Sequence, residues 1–319
     1  AGAGAPAGSA SRPLRVHEPR GGGAGEREAR QDAPRPERES EEAGPLLAGG
    51  PTPLSLEERL RQALRRDELS LVYRPVVAVA TGRYVAFEAE VRWARAEREL
   101  PPERVLPLAE ATGLAVELDD WLLEHALTDL AAWRRGAATR TGAGEVAVAV
   151  NLSAASLDDP GMPRRMERAL AAAGLGDGAL ELDVTEMVAM RDALRTSRAM
   201  DAVRSHGARM ALDDFGTAYS SLLYLRTFPL DLLKIDPTFA RDIVDQPVDQ
   251  EIAASLVRLV HALGMQVEAV GVESGRQLAA LGRHGCDRVQ GRHLSPPLAA
   301  AECIALLRHG GRHPACADS

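Results

Sequence analysis

The chain has 319 residues, of which 45% are hydrophobic and 26% charged, the balance of an ordinary globular protein. Its net charge of −8 argues against binding to a nucleic-acid polymer, because that kind of partner requires a basic face to neutralise phosphates. The sequence has no apolar run near the ~18 residues of a membrane helix and no secretory signal, so a cytoplasmic location is expected.

The first 53 residues are dominated by Gly, Ala, Pro, Arg and Glu. Such a segment cannot bury enough apolar surface to offset the entropy lost on ordering, so residues 1–53 are predicted to form a disordered arm or linker. Because the chain does not begin with Met, we expect it to be part of something longer. Ser55 followed by Glu58 has the pattern of a capping box and predicts a helix through about Arg66. A barrel domain is expected over residues 54–310, followed by a flexible tail at 311–319.

Short apolar runs then alternate with longer amphipathic stretches. The runs that predict strands are Ser70–Val77, Tyr84–Val91, Val146–Asn151, Ala179–Val184, Arg209–Asp213, Leu230–Ile235, Gln266–Val270 and Asp287–Gln290. The stretches that predict helices are Glu103–Thr112, Leu114–Arg135, Ala155–Ala173, Ala189–Ser205, Gln250–Leu263, Gly275–His284 and Ala299–Leu307. A short turn at Thr81–Gly82 predicts that the first two strands are antiparallel, whereas the later strand–helix repeats favour parallel pairing.

Eight strands over about 250 residues predict an α/β fold, a (β/α)8 TIM-like barrel with an antiparallel first strand. The alternative is an open doubly wound sheet. The barrel is preferred because no Gly-rich phosphate loop follows an early strand.

Polar side chains stand at the ends of most predicted strands. They are Glu88, Asn151, Asp183, Asp213 with Asp214, Lys234 and Gln290. The carboxyl ends of parallel barrel strands meet on one face, where such folds keep their active sites. Each residue alone is also compatible with a solvated strand end, but the whole set favours a site.

The chemistry of this set points to a hard divalent cation. Carboxylate and amide oxygens suit Mg²⁺ or Mn²⁺, and the adjacent aspartates can serve two ions that clamp the oxygens of a phosphodiester during cleavage. Lys234 is the only lysine and Asn151 the only asparagine in the chain, and the lysine can orient or help deprotonate an attacking water. Zinc is not favoured, because the histidines have no HExxH pattern. The cysteines also lack metal-ligand spacing and are interpreted as reduced thiols.

Several motifs together resemble the EAL family in order and spacing over about residues 57 to 307. They are Tyr73–Val77, Phe87–Trp93, Pro107–Leu114, Val150–Ser153, Asp213–Thr217, Leu233–Asp236 and Val289–Gly291. The resemblance implies a barrel that acts on cyclic di-GMP to give linear pGpG with Mg²⁺ or Mn²⁺.

The resemblance also implies roles for individual residues. The metal ligands would be Glu88, Asn151, Asp183, Asp213 and Asp214. The catalytic residues would be Lys234, Glu88 and Asp213, with Lys234 orienting the water. The substrate-binding residues would be Arg92, Gln290 and Asp236, with Arg92 as a phosphate contact.

The sequence departs from the family pattern at several places. Asp183 stands where the pattern has glutamate, and a side chain one methylene shorter pulls its oxygens back by roughly 1.5 Å. Val270 replaces another glutamate, and Glu268, which faces the same way on a strand, is set back by about 6.6–7 Å. Further differences replace leucine by Glu90, glutamine by Arg74, glycine by Ala218, and the late Ser-Lys-Pro by Ser295-Pro296-Pro297.

Three functions are compatible with these departures. The favoured one is a degenerate EAL domain that binds cyclic di-GMP, a protein partner or a second copy of itself and hydrolyses little. The second is an active phosphodiesterase, and the third is a metal-dependent barrel with another substrate. The two altered acids decide the preference, because a 1 Å misplacement of a catalytic group costs about 10²-fold in rate.

Overall fold

The computed structural model describes residues 55–94, 99–137, 146–217, 222–244 and 246–314. The predicted arm at 1–53 lies outside these ranges. Within them, the strands are β1 (Leu69–Ala78), β2 (Tyr84–Ala94), β3 (Glu99–Leu100), β4 (Ala147–Asn151), β5 (Leu180–Thr185), β6 (Arg209–Phe215), β7 (Leu232–Ile235), β8 (Gln266–Ala269) and β9 (Arg288–Val289).

Eight of these strands close into a barrel. Around the ring the order is β1, β9, β8, β7, β6, β5, β4 and β2, and β2 pairs with β1 to complete it. β1 is antiparallel to both of its neighbours, and the other pairs in the ring are parallel. The short β3 pairs antiparallel with β2 and extends the sheet outside the ring. The predicted barrel with an antiparallel first strand is therefore confirmed.

Helices follow most of the strands and cover the outside of the barrel. They are α1 (Leu56–Arg66), α2 (Pro102–Ala111), α3 (Ala115–Ala137), α4 (Ala154–Leu157), α5 (Met162–Ala173), α6 (Glu186–Met190), α7 (Ala193–Arg204), α8 (Leu222–Leu225), α9 (Pro237–Asp242), α10 (Pro247–Ala262), α11 (Gly275–Arg283) and α12 (Ala300–Arg308). Within the described ranges, no helix is both long and apolar enough to cross a membrane.

Local signals explain where several helices begin. Both halves of the capping box between Ser55 and Glu58 are present at the start of α1, as predicted. The predicted helix at 155–173 is split, because residues 158–161 (Asp-Asp-Pro-Gly) form a turn between α4 and α5. The predicted helix at 189–205 is also split, because the Asp192 side chain caps a new helix, α7.

The end of the chain is attached to the barrel further than expected. The backbone N–H of Tyr84 donates to the Gly311 carbonyl over 3.0 Å, and that of His313 donates to the Gly82 carbonyl over 2.7 Å. The His313 ring also hydrogen-bonds the Leu294 carbonyl. These contacts join Gly311 and His313 to the barrel, and residues 315–319 of the predicted tail lie outside the described residues.

Candidate active site

Acidic side chains from three barrel strands converge at one point. Glu88 from β2, Asp183 from β5 and Asp213 from β6 each offer a carboxylate oxygen, and these oxygens lie within 4.8 Å of one another. The parallel register brings them together, because Asn151 at the end of β4 lies beside Asp183, and Thr185 of β5 lies beside Asp213. The convergence predicted from the strand ends is therefore present for these three acids.

Two amides hold the Glu88 carboxylate in place. The Asn151 side-chain amide donates to Glu88 Oε1 over 3.0 Å, and the Gln290 amide donates to Glu88 Oε2 over 2.7 Å. Gln290, directly after β9, is 2% exposed. Its side chain reaches Glu88 on β2 past β1, which lies between β9 and β2 in the ring. Both predicted site residues therefore contact the acidic cluster through Glu88.

Lys234 lies in the middle of these acids. Its side chain on β7 is 1% exposed, and its Nζ lies 2.5 Å from Asp183 Oδ2 and 3.6 Å from Glu88 Oε2. Burial alone would lower the pKa of this lysine, but Asp183, Glu88 and Asp213 together raise it well above its ordinary value. Lys234 is therefore a fixed cation whose ammonium group is oriented by two carboxylates.

The same surroundings raise the pKa of two of these acids and lower the pKa of the third. Burial raises the pKa of Asp183 well above its usual range, and that of Asp213 to about 6, despite the attraction of Lys234. Burial also acts to raise the pKa of Glu88, but Lys234 and the two amide donors outweigh it and lower the pKa. Two carboxylates thus contact the ammonium group and a third lies nearby, and close acids of this kind are stabilised as anions by a further cation.

The residues fit a hard divalent cation. Asp183 Oδ1 is buried and lacks a hydrogen-bond partner, so this oxygen can coordinate a metal ion. The carboxylates of Glu88 and Asp213 and the side chain of Asn151 complete an oxygen-rich set of the kind that Mg²⁺ and Mn²⁺ prefer.

Asp214 lies at an irregularity in β6. Its φ is 55°, an uncommon value for a residue other than glycine, and the ladder to β7 shifts register between Leu212 and Phe215. Its side chain is exposed and is not part of the cluster within 4.8 Å that the described residues form. Its role as a metal ligand stays a prediction.

The side chains of Asp236 and Glu186 fix two loops at this end of the barrel. Asp236 caps α9 by accepting from the Thr238 backbone N–H over 2.8 Å. Its charge also contributes to raising the pKa of Asp214, after the larger effect of burial. Glu186 accepts from the Gly216 N–H over 3.1 Å and so ties the loop after β6 to α6. This contact was not predicted from the sequence.

A second charged group continues from the acids along β2. Glu88, Glu90 and Arg92 alternate along that strand and therefore face the same way. Glu90 Oε2 lies 2.8 Å from an Arg92 guanidinium nitrogen, and Glu90 Oε1 forms an ion pair with Arg74 Nε from β1. We refer to Arg74, Glu90 and Arg92 as the arginine edge. In the sequence analysis, Arg74 and Glu90 are separate departures from the family pattern, whereas in the structure they form an ion pair.

The end of β8 offers no acid. Val270 follows the strand and is partly buried, while Glu268 is fully buried in the barrel with neither carboxylate oxygen hydrogen-bonded. Glu268 lies beside Lys234 in the β7–β8 register, and burial raises its pKa to about 7. Among the described residues, Glu268 does not belong to the cluster of Glu88, Asp183 and Asp213.

The sequence and fold have counterparts among known proteins. Residues 57–297 match the family model of the EAL domain. The chain is 40% identical over 264 residues to the cyclic di-GMP phosphodiesterase NbdA of Pseudomonas aeruginosa, covering 82% of this chain and 33% of NbdA. It is 37% identical over 255 residues to the bifunctional diguanylate cyclase/cyclic di-GMP phosphodiesterase MucR of the same species, covering 80% of this chain and 36% of MucR.

Solved structures agree with this similarity. The cyclic di-GMP complex of the PaMucR phosphodiesterase superposes with a TM-score of 0.72 at 37% identity, over 78% of this chain and 100% of that one. The FimX EAL domain from Pseudomonas aeruginosa bound to c-di-GMP gives 0.69 at 26% identity, over 76% of this chain and 97% of that one.

The described part of the molecule is thus a closed α/β barrel with an acidic site at the carboxyl ends of its strands. The chain belongs to the EAL domain family. It spans about a third of the length of the curated relatives NbdA and MucR (33% and 36%).

Proposed function

We propose that this domain binds cyclic di-GMP at the carboxyl end of its barrel and hydrolyses it weakly or not at all. The observation that carries the binding is the acidic cluster with the arginine edge of β1 and β2 beside it. Such a site presents positive guanidinium groups to phosphate and oxygen ligands to a metal ion. The relatives named as cyclic di-GMP phosphodiesterases support this choice of ligand.

Mg²⁺ or Mn²⁺ would be held by Glu88, Asn151, Asp183 and Asp213, with Asp214 as a further candidate. When bound, the ion would act as a Lewis acid toward the phosphodiester. Lys234, held between Asp183 and Glu88, would orient a water molecule through its N–H groups. Arg92 would bind a phosphate of the ligand.

The proposed weakness in hydrolysis rests on Val270 and Asp183. Val270 gives the end of β8 no side-chain oxygen, and Glu268 is buried beside Lys234 and does not replace the missing carboxylate. Asp183 has one oxygen committed to Lys234, and as an aspartate it reaches less far toward a ligand than glutamate by roughly 1.5 Å.

A second candidate is an active phosphodiesterase that converts cyclic di-GMP to pGpG. It is favoured by the three carboxylates that still converge within 4.8 Å and by the 40% identity to NbdA. Product analysis by chromatography with Mg²⁺ or Mn²⁺ separates the two functions. We expect little or no pGpG, and metal-dependent turnover at the rate of an intact phosphodiesterase would decide for the second candidate.

Calorimetry tests the binding itself. We expect cyclic di-GMP to bind in the micromolar range, about −8 kcal/mol, and Arg92→Ala to weaken it. A domain that gives no heat at high ligand concentration would contradict ligand binding and leave a role as a scaffold for a protein partner or a homodimer. Light scattering and pull-down from the cytoplasm of the native host would then test those partners.

A further inference from the structure

The arginine edge connects two strands through one carboxylate. Arg74 of β1 lies opposite Glu88 in the antiparallel register, so Glu90 is its diagonal neighbour on β2. Each oxygen of Glu90 pairs with a different arginine, Oε1 with Arg74 and Oε2 with Arg92. The Glu90 side chain is 10% exposed, so water screens these contacts little.

The same contacts determine which nitrogens of the two guanidinium groups can bind an anion. Arg74 forms its ion pair with Glu90 at Nε, without a hydrogen bond there, and its side chain is 38% exposed. The Arg92 side chain is 14% exposed and also donates to the Val91 carbonyl over 3.2 Å. Because a guanidinium carries five N–H donors in a rigid fork, a contact through Nε leaves the terminal nitrogens able to bind an anion.

Charge also favours an anion at this edge. Two arginines and one glutamate leave a net positive charge beside the acidic cluster. Two cations held on one carboxylate are pre-organised, so little side-chain entropy remains to be lost when a ligand binds.

We propose that Arg74 is a second phosphate-binding residue and that Glu90 is a positioning residue that holds Arg74 and Arg92 at a fixed separation. The inference rests on the proposed binding of cyclic di-GMP, a ligand with two phosphates, and assigns one arginine to each. Glu90 itself makes no contact with the ligand and acts through the two guanidinium groups.

The direction in which one substitution changes the binding affinity distinguishes a positioning role from simple electrostatics. Glu90→Leu removes a negative charge beside an anionic ligand, so Coulomb attraction alone predicts tighter binding. Positioning predicts weaker binding, because both arginines lose their common partner. We expect Glu90→Leu to weaken binding about tenfold, Glu90→Gln to weaken it less, and Arg74→Gln to weaken it about tenfold, or 1.4 kcal/mol.

The chain offers a matched control at the other end of the barrel. Arg204 of α7 pairs with Asp231, and its side chain is 39% exposed, close to the 38% of Arg74. Arg204→Gln therefore removes the same charge from a comparable ion pair, and we expect unchanged binding. In an Arg74→Gln background, Glu90→Leu should cost less than in the wild type, because one of its two dependent groups is already gone.

The measurement is calorimetry of cyclic di-GMP on the full chain, with circular dichroism and melting temperature as checks of folding. Wild-type binding together with unchanged or tighter binding by Glu90→Leu and Glu90→Gln overturns the positioning role. Wild-type binding together with an Arg74→Gln variant equal to Arg204→Gln overturns the phosphate contact. Absence of wild-type binding overturns the proposed function and, with it, this inference.

Discussion

Placing glutamate at positions 183 and 270 should restore catalysis if Asp183 and Val270 cause the proposed weakness in hydrolysis. The double substitution Asp183→Glu with Val270→Glu lengthens one carboxylate by roughly 1.5 Å and adds one at the end of β8. Space is available, because Asp183 lines a cavity of about 130 Å³ and Val270 is only partly buried. The other members of the set are in place, with Glu88 held by two amides and Lys234 held by two acids.

The magnitude follows from the geometry. A misplacement of 1 Å costs about 10²-fold in rate, so correcting a shortfall of roughly 1.5 Å and supplying the missing acid should raise turnover by about 10²-fold or more. This gain corresponds to about 2.7 kcal/mol of activation free energy. The rate increases from the two single substitutions should together fall short of that from the double substitution, because the effects of groups that act as a unit are non-additive.

The assay is the initial rate of pGpG formation with Mg²⁺ or Mn²⁺, followed by chromatography. Lys234→Ala in the doubly substituted background should abolish the gain, whereas Arg204→Gln, at the far ion pair with Asp231, should leave it intact. Robust hydrolysis by the wild type refutes the reasoning outright. A doubly substituted domain that binds cyclic di-GMP but turns it over no faster shows that the defect is not at these two positions.

Three further predictions concern stability and the arm. Lys234→Met should lower the free energy of unfolding by about 3–5 kcal/mol in urea titrations, because it leaves the buried Asp183 without its cation; a change below 1 kcal/mol would contradict this. Burial raises the pKa of Asp119 from 3.8 to about 6, so the folded state binds the proton more tightly, and this residue's contribution to stability should fall as pH rises from about 4 through about 6. Asp119→Asn should remove that part of the pH dependence, and an unchanged profile would argue against it. Limited proteolysis should remove the proposed disordered arm and leave a fragment that begins between residues 53 and 58 with an unchanged melting temperature.

The barrel was predictable because its strands carry strong local signals. β4, for example, is a short buried run that ends in the only asparagine, and the turn at Gly82, with a φ of 65°, makes β1 antiparallel to β2. Elements with little local signal were missed, namely the two-residue β3 and the short α8 and α9. Their formation depends on the neighbours that they pack against rather than on their own periodicity.

The site was only partly predictable, for a related reason. Side chains at strand ends can be placed on one face from the sequence, which is why Glu88, Asp183 and Asp213 were expected to converge. Contacts between strands depend on register, and the β1–β2 ladder shifts between Val76 and Val77. The pairing of Arg74 with Glu90 therefore could not be obtained from the sequence alone.

Register changes the interpretation of the departures from the family pattern. Arg74 adds a positive charge and Glu90 adds a negative one, and because the two form an ion pair, each compensates the other and the charge of the edge is preserved. Val270 has no such compensation, since Glu268 is fully buried beside Lys234 and does not join the acidic cluster of the described residues. The edge that would bind phosphate thus keeps its charge, whereas the edge that would hold metal loses an acid. This asymmetry is the physical reason to expect a domain that retains its ligand and turns it over slowly.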